Sequence, residues 1–591
     1  MKNDDRIQDG NDVLDYIIIG SGFGGSVSAM RLSEKGYRVM VLERGKRFQA
    51  EDFPKTNWNI FKYLWLPAAR CFGIMGINFF NDIWILNGSG VGGGSLVYAS
   101  THIKPPKAFF EAPEWRGLAD WEAELTPFYD VANRMLGTAE NPKFWPADHR
   151  LYEIAEELGT EDTFKPTPVG IFFGTPGMTV PDPYFGGEGP ERRGCIHCGG
   201  CMVGCQHNAK NTLDKNYLYF AEKWGAEVRA EANVLDIRPL YGEQPDGARY
   251  EIIYEKTTDW LLKRKTAVRT NNVIVSAGVL GTLNLLLKCK NEIGSLRLLS
   301  DRLGLNVRSN SEALMGVTAR EEDVVYSDGV AISSSFWVDE TTSVEPVRYA
   351  PGQSFMRNLT LPLIRFDGTV FDRFKRSLAE AVRRPRDFFT VRLQSNWAQR
   401  DTILLIMQTV ENRMAFKRGR SIWTLFTQNL VSVRDKNIPI PPVIEAGRGV
   451  VEAFAEKVDG VAWAGMNDML DIPNTAHILG GCGIGADESK GVIDINHQAF
   501  NYPGLYIADG SAIPGNLGVN PSLTITAMTE RAMSKVPVKD MAERPAPLQM
   551  PAGFERGEGV NGRSPLKTAL PFMLLAAIPL AILFLLKAWK K

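Results

Sequence analysis

An excess of charge of either sign is missing from this chain. Its 591 residues carry 67 Lys and Arg against 68 Asp and Glu, a formal net charge of −1. Binding nucleic acid through a bulk positive field is therefore excluded, and no nucleic-acid partner is expected. Cysteine is scarce: seven in 591 residues rule out a disulfide scaffold. Histidine is scarcer, at six. No secretory leader is expected, because Met1 to Asp12 is polar and mostly acidic with no basic stretch ahead of an apolar run. The catalytic part is expected in the cytoplasm, where thiols stay reduced.

Long uncharged apolar runs are absent until the end of the chain. Thr568 to Leu586 then supplies 19 residues without a charge. As a helix this run spans about 28 Å, close to the ~30 Å hydrocarbon core of a bilayer. Arg563 and Lys567 precede it; Lys587, Trp589, Lys590 and Lys591 follow it as interfacial anchors would. Pro571 and Pro579 are tolerated in membrane spans. The expectation is a single-pass transmembrane anchor over 567–587, reached by a Pro-, Gly- and charge-rich linker over 537–566, with membrane lipid as a partner.

Glycine is the residue in excess, 56 of 591, against a usual share of about 7%, and it clusters. Tyr16 to Ile19 reads as a strand buried on both faces and runs into Gly20-Ser21-Gly22-Phe23-Gly24-Gly25. Gly20 permits a tight turn, Gly22 lets the backbone approach a pyrophosphate, and Gly25 lets helix and strand pack closely. Ser26 to Lys35 has helical character, Arg38 to Leu42 forms a second strand, and Glu43 follows 18 residues after Gly25, placed for ribose hydroxyls. A glutamate here fits an adenosine ribose without a 2′-phosphate, which leaves both FAD and NAD open. A second cluster, Gly88-Ser89-Gly90-Val91-Gly92-Gly93-Gly94-Ser95, lies between the apolar segments Ile83–Leu86 and Leu96–Tyr98. It reads as a buried turn lying against something flat or charged.

With Asp509-Gly510-Ser511 and Gly518-Val519-Asn520-Pro521-Ser522 near the C-terminus, these motifs resemble the glucose–methanol–choline (GMC) flavoprotein oxidoreductases, in order, over about residues 12–535. Within that family the likeness is greatest to the bacterial cholesterol oxidases. The resemblance implies an α/β fold: a Rossmann-like FAD-binding domain and a discontinuous α+β substrate domain. The expected FAD domain takes 12–105, 195–310 and 470–536; the substrate domain takes 106–194 and 311–469. FAD is implied rather than NAD, held non-covalently although His102 stands just past the glycine loop. The implied cofactor residues are Gly20, Gly22, Phe23, Gly24, Gly25, Glu43, Gly90, Gly92, Gly93, Gly94, Ser95, Val234, Ala277, Gly278, Asp509, Gly510, Asn520 and Pro521.

The same resemblance puts His477 and Asn520 at the flavin face. The chemistry suits them: a hydroxyl that loses hydride must also lose its proton, and an imidazole accepts one near neutral pH. An Asn amide both donates and accepts, so it can fix the substrate oxygen. Glu345 is the expected carboxylate that shifts a steroid double bond, with Glu312 as the alternative. The implied activity is oxidation of a hydrophobic alcohol, foremost a 3β-hydroxysterol such as cholesterol to the 3-ketosteroid, with Δ5 to Δ4 isomerisation. Electrons would pass to molecular oxygen or to a membrane acceptor. A long-chain fatty alcohol oxidase, a membrane-linked dehydrogenase and a tethered flavin/iron–sulfur carrier stay open as alternatives.

Cys195-x2-Cys198-x2-Cys201-x3-Cys205 has the spacing of a bacterial ferredoxin run, although Gln206 stands where that run has proline. An iron–sulfur cluster, zinc with His197 or His207, and a metal-free loop are all compatible with it. Phe371, Phe374, Leu378 and Val382 recur at helical spacing among Arg373, Lys375, Arg376, Arg383 and Arg384, a basic amphipathic helix that suits either solvent or a membrane surface. Of the aromatic residues between Trp58 and Trp84, most are expected in the core and some at an apolar substrate entry.

Overall fold

The computed structural model describes residues 13–260, 263–321, 323–365 and 368–539. The expected anchor at 567–587, and the linker beyond residue 539, lie outside the described residues. Among the described residues no helix is long and apolar enough to cross a membrane.

Two seven-stranded sheets organise the chain. The first begins with the βαβ unit read from the sequence: β1 (Leu14–Ile19), α1 (Phe23–Glu34) and β2 (Val39–Leu42). β1 and β2 run parallel with Ile19 opposite Leu42, and the run Ile17–Ile19 is buried on both faces, as an interior parallel strand requires. β3 (Glu227–Arg229) extends the sheet beyond β2. β4 (Ala232–Pro239) and β5 (Tyr250–Lys256) form an antiparallel ribbon. The 11-residue β6 (Lys265–Val275) joins the two parts. Its first half pairs antiparallel with β5, and its second half pairs parallel with β1 and with the strand Leu505–Ile507. β6 ends at Val275, and α2 (Gly278–Lys288) departs two residues later from its N-cap, Ala277.

The second sheet is antiparallel, built on β7 (Ala313–Ala319), β8 (Thr342–Val347), β9 (Asp401–Gln408) and β10 (Gly460–Gly465), with the strand Thr360–Pro362 at one edge. The alternation along β9 decides which face does what. Leu404 and Ile406 belong to a core cluster shared with the helices Pro146–Leu158 and Glu445–Lys457. Ile403, Leu405 and Met407 belong to a different cluster, together with Met75, Val347 and Trp463, on the side facing the glycine loops. β8 pairs with β9 so that Glu345 stands opposite Leu405, and it therefore shares that second face.

The helix Trp121–Met135 lies inside the segment 106–194 but packs in the first core, against α3 (Ser522–Ser534). Its anchor is a stacked pair, Trp115 and Trp121, with ring centroids 4.2 Å apart.

Candidate active site

A cavity of about 350 Å³ runs between the two sheets. One end is bounded by Gly22, Phe23, Gly24, Gly94, Ala277 and Gly278; the other is apolar, with Met75, Leu86, Val347, Leu405 and Trp463 among its walls. His477, Glu312 and Asn520 lie where the two meet.

The glycines at the polar end divide by what they touch. Gly20 has a φ of +99°, and a Cβ there would stand 2.3 Å from the Ser276 carbonyl oxygen; a Cβ on Gly25 would stand 2.0 Å from the Gly20 carbonyl oxygen. Both are packing glycines, as is Gly24, which presses on Ala508. Gly22 differs: it opens α1, no side chain caps it, and nothing lies within 4 Å of where its Cβ would be. Open space over a helix N-terminus is where a pyrophosphate is bound. In the second glycine cluster Gly90 and Gly92 take positive φ, and Gly93 packs on Gly22. Ser95 is structural, its Oγ donating to Gly92 O at 2.7 Å and accepting from Leu213 N–H at 3.1 Å.

Glu43 ties the two glycine clusters together. The Ser21 N–H and hydroxyl donate to its Oε2 at 3.1 and 2.8 Å, and Gly92 N–H in turn donates to the Ser21 hydroxyl at 3.1 Å. Glu43 N–H and carbonyl bond Arg229 O and Ala232 N–H, which brings the Val234 strand alongside. At the far side Asp509 accepts from Ser511 N–H and from the Thr282 hydroxyl, so it joins the turn at Gly510 to α2. Pro521 opens α3 and lines the cavity.

His477 is held by Glu312. Its Nδ1 lies 2.9 Å from Glu312 Oε2. The same carboxylate accepts from the Thr475 hydroxyl at 2.9 Å and from Ala476 N–H at 3.0 Å. Burial drives the imidazole pKa down, but the Glu312 charge and hydrogen bond, with Glu345 behind them, leave it raised overall. Nε2 is left for a substrate. Asn520 is held by Glu345, its Nδ2 donating to Oε2 at 3.2 Å. Burial pushes the Glu345 carboxyl up to about 7, against the pull of Asn520 and His477. Glu345 Oε1 and Asn520 Oδ1 are buried without a partner, so this corner is built to receive a polar group. The loop before α3 is clamped by Asn310, whose Oδ1 accepts from Leu517 and Gly518 N–H.

The expected residues converge in part. Glu312, read as a substitute for Glu345, instead orients His477. Gly20, Gly25, Glu43, Gly90, Gly92, Gly93, Ser95, Val234 and Glu345 do not line the cavity. His102 is committed elsewhere: Nδ1 is 2.8 Å from Thr138 Oγ1, Nε2 is 3.4 Å from Tyr98 Oη, and burial pushes its pKa down to about 3. Thr475 and the apolar wall of β9 and β10 carried no sequence motif; Ile403 to Met407 is a continuous apolar run, so the sequence did not tell its two faces apart.

Residues 361–529 match the family model described as GMC oxidoreductase, and residues 18–63 match an NAD(P)-binding Rossmann-like domain. A cholesterol oxidase of Acinetobacter baumannii is 43% identical over 540 residues, covering 90% of this chain and 96% of the relative. The chain belongs to the GMC oxidoreductases. A cholesterol oxidase of Mycobacterium tuberculosis is also 43% identical, covering 94% of this chain and 95% of the relative. A long-chain-alcohol oxidase of Arabidopsis thaliana is more distant, at 24% over 88% of this chain and 67% of its own. Among solved structures, pyridoxine 4-oxidase from Mesorbium loti shares the fold, with a TM-score of 0.56 at 15% identity over 88% of this chain and 99% of its own. The cofactor of a GMC oxidoreductase is FAD. The open space over Gly22, the uncapped start of α1 and the Glu43-linked glycine loops fit that dinucleotide.

Among the described residues no three His, Cys, Asp or Glu side chains converge closely enough to bind one metal ion.

Proposed function

We propose that this GMC oxidoreductase oxidises the 3β-hydroxyl of a sterol, of which cholesterol is the type, and moves the ring double bond from Δ5 to Δ4. One observation carries the reading: His477 with its partner Glu312, and Asn520, meet at the junction of a dinucleotide cradle and an apolar cavity, with Glu345 accepting a hydrogen bond from Asn520 behind it. When bound, FAD supplies the hydride acceptor. Gly22, Phe23, Gly24, Gly94, Ala277, Gly278, Asp509, Gly510 and Pro521 would hold it.

His477 Nε2 takes the hydroxyl proton, and Glu312 stabilises the imidazolium that forms. The Asn520 side chain fixes the substrate oxygen. Glu345 acts on the carbon skeleton, removing a proton from C4 and returning one to C6. A carboxyl poised near neutrality can both take and release that proton. The apolar walls exclude water and receive the ring system.

The same proposal places the enzyme on a membrane. The run Thr568 to Leu586 serves as the anchor, with the catalytic part on the cytoplasmic side. A second contact comes from the helices Val370–Arg383 and Pro385–Leu393, which leave Phe371, Leu378, Val382 and Phe389 exposed beside arginines. Arg392 donates to the carbonyl of Thr360, a cavity-lining residue, so this face adjoins the substrate chamber. Lipid on that face would deliver a substrate that resides in the bilayer.

The test is anaerobic titration of the FAD-loaded enzyme with a panel of sterols and long-chain primary alcohols, followed by air. Bleaching of the flavin by sterols supports the reading, and its return on air makes oxygen the acceptor. Bleaching by long-chain alcohols alone overturns the sterol reading.

A further inference from the structure

We propose that Cys195, Cys198, Cys201 and Cys205 ligate a [4Fe–4S] cluster. The site is separate from the substrate cavity and does not rest on the sterol reading.

The first observation is convergence. All four cysteines line one cavity of about 140 Å³. One water needs about 10–15 Å³ of such space, so the cavity is far larger than a solvent gap. The ferredoxin-like spacing left one difficulty, since the fourth cysteine of such a run serves a second cluster. The fold removes it by turning Cys205 back onto the cavity of the other three. Cys71, Cys289 and Cys482 do not line it.

The second observation is the shape of the loop. His197 takes a φ of +55°, and Gly199 and Gly204 are also positive. A Cβ on Gly199 would stand 2.3 Å from Ser327 O, and one on Gly204 would stand 2.2 Å from the Phe53 ring. These bends are imposed by tight packing and keep the chain wrapped around the cavity. His197 N–H donates to Cys195 Sγ at 3.4 Å, the kind of contact that supports a cluster thiolate.

The third observation is charge. Lys210 is 1% exposed and lines the cavity. Its ammonium donates to three carbonyls, Leu96 O at 3.2 Å, Tyr98 O at 2.7 Å and Cys201 O at 2.9 Å. Arg192, 2% exposed, bonds the side-chain amides of Asn208 and Asn211. Neither cation has a carboxylate within ion-pair distance among the described residues. Asp214 acts on both only from beyond that distance, and two buried cations so weakly countered are costly. Four thiolates around a doubly positive iron–sulfur core leave about two negative charges, which balances them.

Zinc fits worse. A zinc ion draws its thiolates to about 2.3 Å, which would leave most of a cavity of about 140 Å³ unfilled. A cube of four irons keeps its thiolates farther apart. Lys210 also joins Cys201 to Leu96 and Tyr98, so the cluster and the FAD cradle would share one wall.

The test is made on the full chain, purified without oxygen in its FAD-bound form. Iron, acid-labile sulfide and zinc are measured per FAD, and the dithionite-reduced protein is examined by electron paramagnetic resonance. About four iron and four sulfide per FAD, with a signal from the reduced cluster, are expected. Cys198→Ser and Cys201→Ser should keep FAD and lose iron, while Cys482→Ser should keep both. Less than about one iron per FAD after anaerobic reconstitution with ferrous iron and sulfide would overturn the proposal. So would zinc in place of iron, or full iron in a FAD-replete Cys198→Ser/Cys201→Ser variant.

Discussion

Glu312 reaches His477 from outside its loop: Oε2 lies 2.9 Å from the imidazole Nδ1, while Oε1 accepts the Ala476 N–H. One carboxylate thus fixes both the ring and the backbone that carries it. The Glu312 charge raises the His477 pKa, and the neutral ring that can accept a proton exists above that pKa. Glu312→Gln removes the charge, so the acid limb of the kcat/KM profile should move to lower pH. Turnover should fall up to about 10²-fold, part of what acid–base assistance contributes. A full pH profile at saturating FAD checks this; an unmoved acid limb would mean that His477 is not the titrating base.

His477→Ala and Asn520→Ala should each keep FAD, because both substitutions leave the glycine cradle intact. Alcohol oxidation should fall by about 10²–10⁴-fold, the usual range for a lost acid–base group. Flavin absorbance and stopped-flow flavin reduction separate the two effects. Near-normal reduction in His477→Ala would place the base elsewhere.

The sequence exposed what is local. Gly20 to Gly25 and the flanking strands lie within one βαβ unit, so spacing alone revealed their geometry; the carboxylate of Glu43, read for ribose hydroxyls, instead accepts from Ser21 and Gly45. His477 and Asn520 were visible through the motifs around them. The task of Glu312 was not, because it depends on a contact with a residue 165 positions away that the tertiary fold creates. Glu345 sits in a strand with no motif, and its environment is set by Leu405 opposite and Asn520 above. The segment 106–194 was assigned as one block, whereas the helix Trp121–Met135 within it packs on α3 through Trp121, Leu125, Tyr129 and Ala132.

Two glycines separate cofactor binding from folding. Gly22→Ala places a methyl in open space at a φ of −70° that alanine adopts freely. The protein should fold normally and lose FAD affinity, since the methyl occupies the space for the pyrophosphate. Gly25→Ala puts its Cβ 2.0 Å from Gly20 O, and overpacking of this kind costs about 1–3 kcal/mol. It should lower the apoprotein melting temperature. Thermal unfolding with FAD titration distinguishes the two, and equal melting temperatures would contradict the packing role of Gly25.

Removing residues 564–591 should move the enzyme from the membrane to the soluble fraction, with turnover on detergent-dispersed sterol retained. Truncated enzyme that still pellets with vesicles would assign docking to the exposed apolar face of Val370–Arg383. Leu378→Asp with Val382→Asp, made in the truncated enzyme, should then release it.

Glu345 tests the second half of the proposed reaction on its own. Its carboxyl is pushed up to about 7 by burial, so the carboxylate needed to take a proton from C4 grows in as pH rises through neutrality. Isomerisation measured on an isolated Δ5-3-ketosteroid should therefore rise with pH, with a midpoint near that value. Hydride loss from C3 does not use this group, whereas the C4-to-C6 transfer requires it. Glu345→Gln should still reduce the flavin yet release the unconjugated ketone, without the strong ultraviolet absorbance of the conjugated enone. The amide can keep a contact with Asn520, which makes gross collapse of the corner an unsuitable explanation for that result. Conjugated enone formed by Glu345→Gln at the normal rate would assign the shuttle to another carboxyl; Glu312, already engaged by Thr475, Ala476 and His477, would then have to break those contacts to reach the substrate.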